Sequence, residues 1–277
     1  MTKKDKIAKS KVLLPFRWAG GKFYALKILQ KFWEIEHDEY REPFLGGGSV
    51  FWAKDKVKTN WINDIDSDLV STLELIVDYS KRDKLIEMFE GEMEATREKH
   101  HLVKNMTPKN DIEKAYKYYY LNRTSFSGKM KNPSWGYLPK RSLPPIRWKE
   151  RLIPCSEKLQ GVNLTNLDFE EVINAPAKKN EKVLIFLDPP YYLAKQESHY
   201  VMSFKKDDHE RLSRVLSKTK HKFFLTYDDC EEVRALYTWA HIYEINFFYR
   251  LDNSRDSDDK RKQGNELVIT NYRIDEQ

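Results

Sequence analysis

Apolar positions along this chain follow two different periods. Val183-Leu184-Ile185-Phe186-Leu187 is an unbroken apolar run, the pattern of a central strand covered on both faces. Tyr40 to Phe44, Asn60 to Asn63, Val162 to Thr165 and Lys222 to Thr226 read as further short strands. Between them, Asp68 to Tyr79 carries Leu69, Val70, Leu73, Ile76 and Val77 at helical spacing, and Asp207 to Leu216 predicts another helix. The first strand runs into Leu45-Gly46-Gly47-Gly48-Ser49, after which Val50 to Lys56 predicts a helix capped by Ser49. The opening unit is therefore β-α-β-α.

The pattern changes in the middle. Lys81 to Val103 and Asp111 to Asn122 predict polar-faced helices, and Gly128 to Pro154, with five prolines, is loop-rich. Ile242 to Arg250 and Glu266 to Tyr272 are consecutive strands without a helix between them, joined by the polar stretch Leu251 to Gly264, expected to be a mobile loop. Such a pair closes a sheet as an antiparallel hairpin. The expected architecture is an α/β fold with a mixed, mostly parallel sheet. It would be formed by residues 1–80 and 160–277 and interrupted by a mostly helical insert over 81–159.

Composition adds less. A chain of 277 residues can bury an α/β core without disulfides or structural metal. Its two cysteines, Cys155 and Cys230, form no CxxC pair, which points to a reducing, cytoplasmic setting and to no metal centre. The lysine-rich start, Met1 to Lys11, is followed by too short an apolar run for a signal peptide, and no window suits a membrane span. A net charge of +6 decides nothing alone, but its distribution is informative. From Arg123 to Arg151, Arg123, Lys129, Lys131, Lys140, Arg141, Arg147, Lys149 and Arg151 face one acid, Glu150, with Phe126, Trp135, Tyr137 and Trp148 interleaved. This stretch suits either a nucleic-acid surface or a solvated basic loop.

The chemistry centres on Asp188-Pro189-Pro190-Tyr191, where the apolar strand emerges. Ligands of open α/β sheets bind at such strand ends. The two prolines stiffen the turn and remove two donors. A carboxylate beside the Pro189 carbonyl gives two acceptors, suited to an amino group with two N–H donors, and Tyr191 can stack on the ring that bears it. Acceptors on both hydrogens favour the pyramidal nitrogen whose lone pair is free to attack a sulfonium methyl. The carboxylate then stabilises positive charge as it moves to nitrogen. A Pro-Pro turn with Asp188 as an ordinary cap is the structural alternative.

Several further motifs, in this order, resemble the Dam-like family of DNA adenine N6-methyltransferases, whose fold is Rossmann-like. These are Trp18-Ala19-Gly20-Gly21-Lys22, Glu42-Pro43-Phe44-Leu45-Gly46-Gly47-Gly48-Ser49, Asn63-Asp64-Ile65-Asp66, Leu167-Asp168-Phe169, Thr226-Tyr227-Asp228 and Asn265-Glu266-Leu267. The resemblance implies S-adenosylmethionine as cofactor. Trp18 and Lys22 would meet its methionine part, and Phe44, Gly46, Gly48 and Ser49 would form its loop. Asp64 would bind its ribose hydroxyls, Asp168 would accept from its adenine amino group, and Phe169 would pack nearby.

Tyr119-Tyr120-Leu121-Asn122-Arg123 followed by Gly128 resembles the start of the family's target-recognition region. The partner implied is double-stranded DNA, contacted by Asn122, Arg123, Phe126, Ser127, Lys129, Lys131, Lys140 and Arg141. Phe126 is a candidate wedge when the adenine is flipped out. The expected activity is site-specific methylation by a monomer, with a cognate restriction endonuclease as genetic partner. Methylation of cytosine N4 or of an RNA amine, and an inactive DNA-binding regulator, are the alternatives. A zinc deaminase is excluded because Pro154-Cys155 lacks a second cysteine at the needed spacing.

Overall fold

A computed structural model describes residues 13–193, 204–248 and 263–274. The expectations for Met1 to Lys11 and for the greater part of Leu251 to Gly264 lie outside the described residues.

Among the described residues, seven strands form one sheet. They are β1 (Glu39–Glu42), β2 (Thr59–Asn63), β3 (Asn163–Thr165), β4 (Val183–Leu187), β5 (Lys222–Asp228), β6 (His241–Phe248) and β7 (Gln263–Thr270). Their order is β3-β2-β1-β4-β5-β7-β6. The first five pair in parallel, whereas β7 runs antiparallel to both β5 and β6. This is the mixed sheet with a closing hairpin expected from the sequence. Every residue of β4 is buried, as its unbroken apolar run requires.

The helices are α1 (Leu26–Trp33), α2 (Ser49–Ala53), α3 (Ser67–Val77), α4 (Tyr79–Glu87), α5 (Arg97–Asn105), α6 (Asp111–Thr124), α7 (Lys149–Leu159), α8 (Phe169–Asn174), α9 (Lys206–Lys218) and α10 (Glu231–Leu236). Among the described residues, none is long and apolar enough to cross a membrane.

Four local expectations are corrected. β1 stops at Glu42, because Pro43 has no N–H to offer the ladder. Helix α2 begins at Ser49, and its cap is Gly48 in a left-handed conformation (φ 63°), with no bond from the Ser49 hydroxyl. The single helix expected over Lys81 to Val103 is divided into α4 and α5, with Gly91 at φ 85° between them and Thr96 restarting the second by capping Lys99 N–H. Pro154, expected in a loop, lies inside α7, where the burial of Leu152, Cys155 and Leu159 offsets the lost hydrogen bond.

Helices α4 to α7 lie between α3 and β3 in the chain; α4, α6 and α7 pack back onto α3, and α5 packs onto α6. One apolar cluster runs through both regions, from Leu73 and Ile76 on α3 to Tyr119 and Tyr120 on α6 and Leu152 on α7. Two polar ties accompany it. The Tyr118 hydroxyl donates to Asp66 (2.9 Å), which also caps α3 through the N–H groups of Asp68 and Leu69. Asn122 accepts from Arg17 N–H (2.8 Å) and donates to the Arg17 carbonyl (2.9 Å), clamping the segment before α1 onto α6.

Candidate active site

The carboxyl ends of β1 to β4 meet around a cavity of about 260 Å³. Glu42 reaches it from β1, Asp64 from the residue after β2, Leu167 and Asp168 from the turn after β3, and Asp188 from the residue after β4. Parallel pairing sets these residues side by side although they are far apart in sequence.

The glycine turn lies against the indole of Trp18. A Cβ on Gly46 would come within 2.8 Å of Trp18 Nε1, and one on Gly47 within 2.7 Å of Trp18 Cβ. A Cβ on Gly48 would meet Trp52 Nε1 at 2.6 Å. The glycines are therefore demanded by two tryptophans of this chain, and at Gly46 and Gly48 also by positive φ. Trp18, Phe44, Gly46, Gly48 and Ser49 all line the cavity, and the buried Ser49 hydroxyl has no hydrogen-bond partner among the described residues.

Asp64 organises this turn. One oxygen accepts from Gly46 N–H (2.7 Å) and the other from Asp66 N–H (2.9 Å). Burial pushes its pKa up to about 6, even though these N–H groups favour the ionised form. Glu42, also buried, accepts from the Tyr40 hydroxyl (2.6 Å). Its pKa is pushed up to about 8, first by burial and further by Asp188.

Asp188 is held from two sides. Lys22, 4% exposed, places Nζ 2.7 Å from Asp188 Oδ1 and 3.0 Å from Oδ2, and also donates to the Gly20 carbonyl. Thr226 donates its hydroxyl to Asp188 Oδ1 at 2.7 Å. Burial alone would lower the Lys22 pKa, yet the charges of Asp188 and Glu266 raise it above the ordinary lysine value. The same ammonium stands 4.6 Å over the Tyr191 ring. Lys22, expected at the methionine part of a cofactor, is thus the counter-ion of Asp188. Beyond the turn, Asp228 accepts from Tyr192 N–H and Leu193 N–H (2.9 and 2.8 Å), tying the Asp188-Pro189-Pro190-Tyr191 segment to β5.

Asp168 caps α8, accepting from Glu170 N–H, and Arg211 grips both of its oxygens (2.8 and 2.9 Å). Burial raises its pKa, but the Arg211 hydrogen bonds prevail and hold it below the ordinary value.

The residues expected to meet DNA are divided by the fold. Asn122 is fully buried and bonded to Arg17 and the Gly128 carbonyl, so a DNA contact from it is ruled out. Arg123 is turned inward, with its guanidinium towards the Pro15 carbonyl (3.5 Å). Tyr137 and Trp148 belong to the core, and Trp135 packs against it, so three of the four interleaved aromatic residues are structural. Phe126 is half exposed, Ser127 adopts a left-handed turn at φ 53°, Lys129 is partly exposed, and Lys131, Lys140 and Arg141 are exposed.

Glu42 and Thr226 stand within motifs quoted from the sequence but were given no role there, and Arg211 was not singled out. Thr226 follows Leu225, whose parallel pairing with Leu187 sets it level with Asp188, a register the sequence does not display.

Residues 18–251 match the family described as D12 class N6 adenine-specific DNA methyltransferase. The chain is 26% identical over 267 residues to the type II methyltransferase M.CviBI of Paramecium bursaria Chlorella virus NC1A, covering 92% of this chain and 98% of that protein. It is 28% identical over 300 residues to the type II methyltransferase M.MjaIII of Methanocaldococcus jannaschii, covering 93% and 99%. The DNA adenine methylase of Escherichia coli K12 is 25% identical over 184 residues, covering 63% of each chain. With the match running from Trp18 across all four strand ends of the cavity, the chain belongs to the D12 class of N6 adenine-specific DNA methyltransferases.

Proposed function

We propose that this enzyme takes S-adenosylmethionine as methyl donor, with the cavity at the ends of β1 to β4 as the cofactor site and Asp188 to Tyr191 as the grip on a flipped-out adenine of duplex DNA. The observation that carries the proposal is the continuity of the cavity, which runs from Arg211 and Asp168 at one end to Lys22 and Asp188 at the other.

The residues present suit such a cofactor. Asp64 offers carboxylate oxygens to a ribose diol, the unpartnered Ser49 hydroxyl sits in the glycine turn, and Phe44 and Phe169 provide apolar faces for a purine. Bound there, the cofactor supplies an electrophilic sulfonium methyl group. At the target end, Asp188 and the Pro189 carbonyl accept the two N–H groups of the adenine amine while Tyr191 stacks on its ring. As the amine becomes cationic, the Asp188 carboxylate is the adjacent negative charge that lowers the barrier. Among the described residues, Lys22 contacts both Asp188 oxygens and Thr226 donates to Oδ1, so Oδ2 keeps a second acceptor position for the amine. The Thr226 bond to Oδ1 holds the carboxylate oriented as the amine enters.

In this reading the region 81–159 contributes DNA contacts from Phe126, Ser127, Lys129, Lys131, Lys140 and Arg141, and the enzyme acts as a cytoplasmic monomer beside a cognate restriction endonuclease. Purified protein given labelled S-adenosylmethionine and mixed-sequence duplex DNA should produce N6-methyladenine after digestion. Single-molecule sequencing of DNA from expressing cells should then show one flanking motif. Asp188→Ala should abolish transfer while retaining cofactor binding. A wild-type protein that yields no methyladenine, or an Asp188→Ala variant as active as wild type, overturns the proposal.

A further inference from the structure

On the α9 side of the sheet, a chain of rings links the cavity wall to the turn after β4. Phe204 lines the cavity, with its ring 5.6 Å from Phe44 and 5.7 Å from Phe169. His209, near the start of α9, packs against Phe204 at 4.7 Å and against Tyr192 at 4.9 Å. Its Nδ1 is hydrogen-bonded to the Tyr227 hydroxyl at 2.5 Å. The Tyr227 ring in turn lies 6.0 Å from the Tyr191 ring, tilted by 35°.

The His209 to Tyr227 bond is a polar tie in apolar surroundings. His209 is 2% exposed and Tyr227 fully buried, within the cluster against which Tyr191 and Tyr192 pack. Burial pushes the His209 pKa down to about 4, prevailing over the charges of Asp228 and Asp208 that raise it. The imidazole is therefore neutral near pH 7, with one N–H and one lone pair, and a phenol can serve it as acceptor or donor. β5 fixes Tyr227 at its Cα end and His209 fixes it at its hydroxyl end. Three consecutive residues of β5 thus serve the turn. Thr226 holds the Asp188 carboxylate, Asp228 holds the N–H groups of Tyr192 and Leu193, and Tyr227, on the opposite face of the strand, backs Tyr191.

We infer that His209 is a positioning residue: by holding the Tyr227 hydroxyl it sets the ring against which Tyr191 packs, and so the angle at which Tyr191 meets the target adenine. This rests on the grip of Tyr191 on the adenine proposed above, and adds to it a residue outside the cavity lining.

The test is single-turnover methyl transfer to a duplex carrying the motif that sequencing reveals, with rates divided by the fraction of protein that binds S-adenosylhomocysteine. Tyr227→Phe removes the hydroxyl and keeps the ring, and His209→Leu removes the ring nitrogens. Each should slow transfer at saturation about 10-fold, within the roughly 100-fold that a displacement of about 1 Å can cost. The half-saturating concentrations of DNA and cofactor should stay within about twofold of wild type, the mark of an interaction realised in the transition state. His209→Asn offers a donor and an acceptor close to the place of Nδ1 and should recover to within about threefold of wild type. The Tyr227→Phe, His209→Leu double variant should be no slower than either single one, because both remove the same bond.

Full-rate transfer by Tyr227→Phe overturns the inference, as does His209→Asn no faster than His209→Leu. A loss that vanishes once rates are divided by the cofactor-binding fraction marks a merely structural role and also overturns it. Should His209→Leu fail to fold, Tyr227→Phe, which keeps the packing of the ring, carries the same reading. A wild type that methylates no adenine overturns the proposed function and this inference together, whereas an active wild type with unimpaired variants overturns the inference alone.

Discussion

Replacing Lys22 by methionine keeps a stem of similar length and removes the ammonium that contacts both oxygens of Asp188. Lys22 is 4% exposed and Asp188 21%, so the surviving carboxylate would be largely buried with the Thr226 hydroxyl as its remaining side-chain donor. Breaking a buried ion pair from one side costs about 3 to 5 kcal/mol, and the partial exposure of Asp188 places this case near 3 kcal/mol. For a protein of this size that is a fall of about 6 to 12 °C in melting temperature. The expected remedy is Asp188→Asn, which removes the orphaned charge. The Lys22→Met, Asp188→Asn double variant should melt above Lys22→Met, with a coupling of about 2 kcal/mol or more in the cycle. Thermal unfolding followed by circular dichroism of the four proteins measures this. An unchanged melting temperature for Lys22→Met, or two losses that simply add, would refute the assignment of Lys22 as the counter-ion.

Three other outcomes follow from the same geometry. Glu42 has an ordinary value of 4.5 and is pushed up to about 8, so the folded protein holds its proton where the unfolded chain has lost it. Stability should therefore decline between those pH values by up to about 1.4 kcal/mol per pH unit, and Glu42→Gln should flatten the profile, leaving the smaller contribution of Asp64 between its ordinary 3.8 and about 6. Gly128→Ala would set a Cβ 2.2 Å from the Arg17 carbonyl oxygen at φ 72°, and should cost about 2 kcal/mol or more. At Gly91, where φ is 85° but the space is open, alanine should cost only about 1 kcal/mol in the same denaturation assay. Lys131→Ala and Lys140→Ala should leave stability unchanged and lower the salt dependence of DNA binding by about one ion each. Asn122→Ala should do the reverse, melting earlier with an unaltered salt slope.

The sequence by itself determined which segments are strands and which family motifs stand at their ends. The apolar run of β4 is legible because burial on both faces leaves no polar alternation, and its stiff Pro-Pro turn marks where the strand meets solvent. The resemblance around the glycine turn, Asp64 and Asp188 likewise needed only residue types in order, because those positions sit at strand ends fixed by local patterning. Patterning does not say what a polar side chain meets across a strand or helix boundary. Asn122 and Arg123 follow helical spacing equally well whether they face DNA or Arg17, and the packing of the N-terminal segment on α6 turned them inward. Three of the basic stretch's aromatic residues were likewise drawn into the core or against it. Lys22 met Asp188 across 166 residues, Thr226 reached the same carboxylate through parallel pairing, and Arg211 closed on Asp168 from another helix. Only the tertiary structure decided these partners, because hydrogen bonds and ion pairs depend on distances that chain closure sets and composition does not encode.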